Sequence, residues 1–313
     1  MDALISTIGR GRRRGRRRAP APAPPALSTP PPPEHALAVD LLASGTSPHP
    51  QDSSPLFSTL PPEIRNRIFY LTLLEYDDET TPVEFDSYGY RPGHEYRKQH
   101  SLDLLTTCKR AYLEAYLIPV AATAHTTWNM WPQRAPLDRA LVANHRFQKM
   151  NSEQRAAVET VHLYAQQWAL EGKWANEIVS EAQRARGVLP KRLIITVRHS
   201  DWWDWEHDAP LRMDNIRYGS SWHEGFQDFP LEEFVMELET LERRKAELDV
   251  IAEGVRKWEI GLGNGRVLKT NGITLKTSTW NGSALFPGGL PAPEGATSLL
   301  YYIVTITWKV RNV

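Results

Sequence analysis

The sequence predicts an α+β fold: a disordered tail, an N-terminal helical module, and a body of mixed helices and strands. Three observations predict it. Residues 60–74 open on two prolines and then place apolar side chains at helical spacing. Residues 193–197 read Leu-Ile-Ile-Thr-Val, and residues 302–310 alternate apolar with polar, both strand patterns. Residues 231–260 repeat apolar side chains three and four apart, the period of an amphipathic helix.

In chain order, residues 1–54 read as a disordered basic and proline-rich tail. Arg10, Arg12, Arg13, Arg14, Arg16, Arg17 and Arg18 crowd its start, and eight prolines fall within residues 20–33. Such a segment favours extended polyproline II and buries little apolar surface. Pro22 and Pro25 form a PxxP pair, but no arginine sits at the spacing of an SH3 ligand, so a linker is expected.

Residues 55–120 form the helical module. Its first helix covers residues 61–74, an acidic loop fills 75–100 as an insertion, and a second helix spans 102–117 and stops at Pro119. Residues 121–313 form the α+β body. Residues 159–164 and 191–198 are expected as strands, with a helix over 166–186 between them. In 231–260, Leu231, Phe234, Leu238, Leu241, Leu248, Ile251, Val255 and Trp258 make the stripe, and Pro230, Glu232 and Glu233 suit a helix start. Lys245 interrupts that stripe, and its length falls short of a stable coiled coil. A helix packed on a sheet is expected there. Residues 302–310 form the last strand, residues 273–280 its partner, and Asn281-Gly282 the turn.

Composition bounds the function. The chain has 313 residues, 41% hydrophobic and 24% charged, an ordinary globular balance. Seven of its 37 basic residues and one of its 37 acidic residues lie within residues 1–18, so the remainder carries 30 basic against 36 acidic. That body is a poor phosphate-binding surface, and contact with nucleic acid is expected only through the Arg10–Arg18 run, weakly. The same run suits a nuclear import signal. Cys108 is the single cysteine, so no internal disulfide forms and a reducing compartment is expected. The longest apolar run, residues 299–306, is far below the ~20 residues of a membrane helix. An intracellular protein, nuclear or cytoplasmic, with no membrane partner is therefore expected.

The helix at residues 60–74 has a clear physical logic. Its prolines occupy first-turn positions whose N–H groups lack partners anyway, and Glu63 sits near the positive helix end. Ile64, Ile68 and Leu71 follow i, i+4, i+7 and share one face, with Arg65 and Arg67 off it. Leu102, Leu105, Cys108 and Tyr112 form the stripe of the second helix. The pattern Leu60-Pro61-x-Glu63-Ile64-x-x-x-Ile68-x-x-Leu71, with the later Leu104-Leu105-x-x-Cys108-Lys109-Arg110-x-Tyr112-x-Glu114-Ala115, resembles the fungal F-box-like family. The region from the first element to the end of the second covers about a fifth of the chain, and residues 75–100 intervene where the family pattern sets the two close together. Residues 201–206 and 236–240 also resemble segments of those proteins. The resemblance implies docking on the adaptor subunit of an SCF ubiquitin ligase. Leu60, Pro61, Ile64, Ile68 and Leu71 would face the adaptor, Leu105 and Cys108 would complete the protein-binding module, and the body would hold a client protein. The alternative is a stand-alone nuclear scaffold or nucleic-acid-associated protein.

Catalytic, cofactor-binding and metal signatures are not found. The cluster His199-Ser200-Asp201-Trp202-Trp203-Asp204-Trp205-Glu206-His207-Asp208 fits no established ligand spacing. It is expected as a loop whose tryptophans cover the end of the core while the acids stay wet. Residues 261–265 (Gly-Leu-Gly-Asn-Gly) lack the spacing and setting of a phosphate loop, so a helix stop and loop is expected. Cys108 is expected as a small core residue within the second helix.

Overall fold

The computed structural model describes residues 37–45, 47–87, 89–129, 147–171, 187–214, 216–217, 220–270, 272, 275–284 and 296–311. The expected tail lies outside it as far as residue 36. Regular structure then begins earlier than expected, because α1 (Leu37–Ala43) is helical and buries Ala38.

Helices α2 (Pro55–Ser58) and α3 (Pro62–Leu73) follow. Pro62 stands in the first turn of α3, where no N–H bond is lost, and Glu63 beside it favours the positive helix end. Leu74 turns extended (ψ 149°) and delivers the chain into β1 (Glu75–Pro82). This strand pairs antiparallel with β2 (Tyr96–His100). The loop expected at 75–100 is thus a hairpin with its tip at 83–95. Local bonding overrides the acidic composition. The Asp78 carboxylate accepts the Thr80 N–H at 3.0 Å and the Thr80 hydroxyl at 2.6 Å, at the point where the register shifts. Lys98 neutralises Asp77 from the opposite strand at 2.6 Å.

The expected second helix is three: α4 (Asp103–Thr107), α5 (Lys109–Ala115) and α6 (Ile118–Ala122). It breaks at Cys108, which is extended (φ −161°, ψ 159°) and whose Sγ accepts the Ala111 N–H at 3.4 Å. Cys108 is therefore a helix cap and not a helix-interior residue. Pro119 stands in the first turn of α6 instead of stopping a helix, since a proline there forfeits no bond.

The body continues through β3 (Ala124–Asn129), α7 (Ser152–Ala156), β4 (Thr160–Ala165) and α8 (Gln167–Glu171). The helix expected over 166–186 is described only as far as Glu171. Then come β5 (Arg192–Val197) and a two-residue pair, β6 (Ile216–Arg217) with β7 (Ser220–Ser221). The last elements are β8 (Glu233–Leu241), α9 (Lys245–Val255), β9 (Ile260–Gly261), β10 (Val267–Lys269), β11 (Lys276–Ser283) and β12 (Ser298–Arg311). One sheet orders them β3-β4-β5-β8-β12-β10-β9, with β11 also beside β12. Strands β3, β4, β5 and β8 run parallel, and β12 runs antiparallel to β8, β10 and β11. The fold is α+β, and the helical segments and the sheet belong to one folded unit.

The helix expected over 231–260 is a strand followed by a helix. Strand β8 is central and buried on both faces, so apolar side chains occupy both parities: Phe234, Met236 and Leu238 on one face, Val235 on the other. Apolar residues at both parities imitate a three-and-four spacing. Its second half, α9, is helical and packs Leu248, Ala252 and Val255 against the core. The chain after it forms β9 and a short turn at Gly263–Gly265, so residues 261–265 join two strands instead of ending a helix.

Alternation gives the sheet two unlike faces. Val161, Leu163, Leu193, Ile195, Val197, Phe234, Met236, Leu238, Val304, Ile306 and Trp308 build the apolar core. His162, Tyr164, Thr196, Glu237 and Glu239 occupy the opposite parity. A second, smaller core joins Phe69 and Leu73 of α3 to Ala115, with Phe57, Leu104, Leu105 and Ile118 packed around it.

Asn281 and Gly282 do not turn. They lie within β11, opposite Leu300 and Leu299. The Trp280 indole folds over Gly282 and stacks on Tyr301 with centroids 4.9 Å apart. A Cβ at Gly282 would lie 2.6 Å from two ring atoms of Trp280 and 2.8 Å from one of Tyr301. Gly282→Ala should therefore lower stability by about 1–3 kcal/mol. In a Trp280→Leu background the same change should cost less, since only the Tyr301 contact remains. Denaturant unfolding of the single and double variants checks this, and additive losses would exclude the ring contact as the cause.

Candidate functional site

Helix α3 presents two faces with opposite fates. Phe69 and Leu73 are fully buried in the small core. Ile64, Ile68 and Leu71 stand 51%, 38% and 54% exposed. Pro61 is exposed at the same end of the helix, and Leu60 is half-buried. The i, i+4, i+7 row thus points outward, and the interior face is Arg65, Phe69 and Leu73.

Arg65 is what holds the helix from behind. It is 6% exposed. Its Nε donates to Glu114 Oε2 at 2.5 Å, and its Nη1 to the Leu60 carbonyl at 3.2 Å. Arg110 donates to the other oxygen of Glu114 at 3.1 Å. Both guanidinium groups lie over the Phe57 ring, at 5.5 and 4.6 Å. The two patterned elements therefore meet directly: Arg65 and Phe69 of the first contact Glu114 and Ala115 of the second. Leu105 packs into this small core, and Cys108 caps α5, so neither joins the exposed row.

A second constellation lies on the polar face of the sheet, under residues 90–95. Arg91 is buried there. Its Nη1 donates to Tyr164 Oη at 3.2 Å and its Nη2 to Glu237 Oε2 at 3.0 Å. The Thr196 hydroxyl donates to the same Glu237 oxygen at 2.9 Å, and His162 Nε2 lies 2.8 Å from that hydroxyl. Two residues along β8, Glu239 is fully buried; Arg198 Nε donates to it at 3.0 Å and Trp280 Nε1 at 3.2 Å. Burial opposes the Arg91 charge, but Tyr164, Glu239 and Glu237 outweigh it and raise the pKa of Arg91. Burial, helped by Arg91 and Arg192, pushes His162 down to about 3. Burial likewise lowers His199 to about 4.

The Trp-rich loop joins this face. Trp202 and Trp205 are buried in the main core as expected, and Trp203 is half-buried. Trp202 Nε1 donates to the Glu239 carbonyl at 2.8 Å, which joins residues 201–206 to residues 236–240. Trp203 Nε1 donates to Glu171 Oε2 at 3.1 Å. Asp204, Glu206 and Asp208 stay exposed, whereas Asp201 is buried, because its carboxylate accepts the Arg198 N–H at 3.3 Å.

Sequence reasoning missed Arg65, Arg91, Glu237 and Glu239. The acids at alternate positions in Met236-Glu-Leu238-Glu were the available signal for the two glutamates. Nothing local marks Arg91, whose partners lie 73 and 146 residues away. Among the described residues, no group of three His, Cys, Asp or Glu side chains is placed to hold a metal ion, and no helix is long and apolar enough to cross a membrane. Comparison with family models, with curated proteins and with solved structures gives no match.

Two outcomes follow from this geometry. Glu114→Ala leaves Arg65 buried without its acid and should cost about 3–5 kcal/mol, whereas Ile64→Ser on the exposed row should stay within about 0.5 kcal/mol. Urea unfolding of both variants checks the contrast. The buried neutral histidines set a pH dependence. Their folded pKa values lie below the ordinary value of about 6.5, so the unfolded chain takes up protons first as pH falls. Their contribution is complete above about pH 6.5 and is lost progressively towards about pH 4 and below. His162→Gln should flatten the fall in melting temperature across that range, and an unchanged slope would remove His162 as a source.

Proposed function

We propose that the chain is a non-enzymatic protein–protein interaction protein. In this reading the outer face of α3 docks on the adaptor subunit of an SCF ubiquitin ligase, and the 121–313 body holds a client. The observation that carries the reading is the exposed row Ile64, Ile68 and Leu71 on a helix locked from behind by Arg65 and Glu114. Three aliphatic side chains at i, i+4, i+7 are the anchors of a helix-in-groove contact. A helix held rigid before binding loses little conformational entropy on docking.

The resemblance of residues 60–71 and 104–115 to the F-box-like pattern supplies the partner's identity. The contact between Arg65 and Glu114 supports it, because two patterned elements 49 residues apart serve one helical unit despite the intervening hairpin. The groups most like a catalytic set, His162, Tyr164, Thr196 and Glu237, bond to one another or to Arg91, which favours a structural role.

The test is capture of the purified adaptor subunit by the full chain. The wild-type chain should retain it, and Ile64→Glu/Ile68→Glu should lose at least about tenfold in affinity with an unchanged circular dichroism spectrum, since exposed substitutions barely alter folding. A wild-type chain that does not retain the adaptor overturns the ligase reading.

A further inference from the structure

The polar face of the sheet holds a side chain in the manner of a bound ligand. Arg91 comes from the tip of the β1–β2 hairpin, and its acceptors come from two strands of the sheet, Tyr164 on β4 and Glu237 on β8, while Thr196 on the strand between them donates to the same Glu237 oxygen. Two different guanidinium nitrogens reach Tyr164 Oη and Glu237 Oε2, and the guanidinium carbon lies 5.6 Å from the Tyr164 ring centroid. A carboxylate, a hydroxyl and an aromatic face are what a planar guanidinium prefers and a spherical ammonium uses poorly. The fit is incomplete, since the buried Nε of Arg91 has no hydrogen-bond partner among the described residues.

Residues 90–95 meet the sheet through polar and aromatic contacts. None of them belongs to either apolar core. Beyond Arg91, these contacts include the Tyr90 carbonyl with Arg198 Nη2 at 3.5 Å, His94 with Tyr164 Oη at 3.3 Å, the His94 ring 6.4 Å from that of His162, and the Tyr90 ring 6.3 Å from that of Trp280. The turn itself is local. The His94 N–H donates to the Arg91 carbonyl at 2.8 Å, and Gly93 adopts φ +77°, which a glycine takes without strain. A short turn of this kind opens without disturbing the strands beneath it.

We propose that Glu237, held by Thr196, and Tyr164 form a guanidinium-binding site that Arg91 keeps closed, and that an arginine side chain of a protein partner takes the place of Arg91 when residues 90–95 lift. This site is independent of the α3 surface, so the failure of one leaves the other standing.

The test uses the full chain and N-acetyl-arginine methylamide as the probe, followed by NMR titration. Arg91→Ala should bind the probe saturably, N-acetyl-lysine methylamide at least about tenfold more weakly, and the wild-type chain at least about tenfold more weakly than the variant. Adding Glu237→Gln to Arg91→Ala should abolish binding. A folded Arg91→Ala chain that does not bind the probe, or that binds both probes alike, overturns the proposal. If Arg91→Ala does not fold, hydrogen exchange on the wild-type chain decides. The Tyr90 and His94 amides should then exchange at least about tenfold faster than those of β5 and β8, and faster still under excess probe. Exchange of these amides together with the strands, unmoved by the probe, overturns it equally.

Discussion

Four charges on the polar face of the sheet, three of them buried and Glu237 half-buried, tie the chain together. Arg91 meets Glu237 and Arg198 meets Glu239, and the two glutamates stand two residues apart on β8. Neither arginine belongs to the same element as its acid. Arg91 arrives from the hairpin at residues 75–100, and Arg198 from the end of β5. Charge balance makes the arrangement tolerable in the interior, and the geometry makes it specific. Removing one partner leaves an uncompensated buried charge, whereas the intact set contributes little net stability over an apolar equivalent. What such a set does well is fix one arrangement of the elements around it.

The same device recurs in the helical module at smaller scale. Arg65 and Glu114 pair across the small core, with Arg110 on the second carboxylate oxygen and Phe57 beneath both guanidinium groups. Here the consequence faces outward. Because the pair fixes the inner face of α3, the aliphatic row on its outer face is left in water at a defined angle. His100 then links the module to the hairpin, through the Leu73 carbonyl at 3.2 Å and the Thr123 hydroxyl at 3.1 Å. The insertion that separates the two patterned elements is thus a brace between the helices and the sheet.

Legibility followed the range of the forces involved. Strand β5 and the last strand were plain because a β-branched run and a two-residue alternation are patterns that neighbouring residues alone display. Strand β8 was not, since burial on both faces erases the alternation that marks a strand. The hairpin was hidden because Asp77 and Asp78 read as solvent-loving in isolation, while Lys98 and Thr80 satisfy them only once the strands pair. Asn281-Gly282 carries a turn signal, yet Gly282 serves a different need, clearance for the Trp280 ring. On the candidate site, the row Ile64, Ile68 and Leu71 was legible as a face, but its exposure was not.

What the sequence by itself determined is the set of local commitments: the proline-led start of α3, the β-branched strand at residues 192–197, the alternating strand at the end, and the α+β class that these imply. Each depends on neighbours within a few residues, so backbone sterics and side-chain period suffice. Tertiary structure alone decided which face of α3 is covered, that Cys108 breaks a helix, and that Arg91 reaches Glu237 across 146 residues. Those outcomes rest on burial and on charge pairing between distant segments, and neither has a value until the chain has folded.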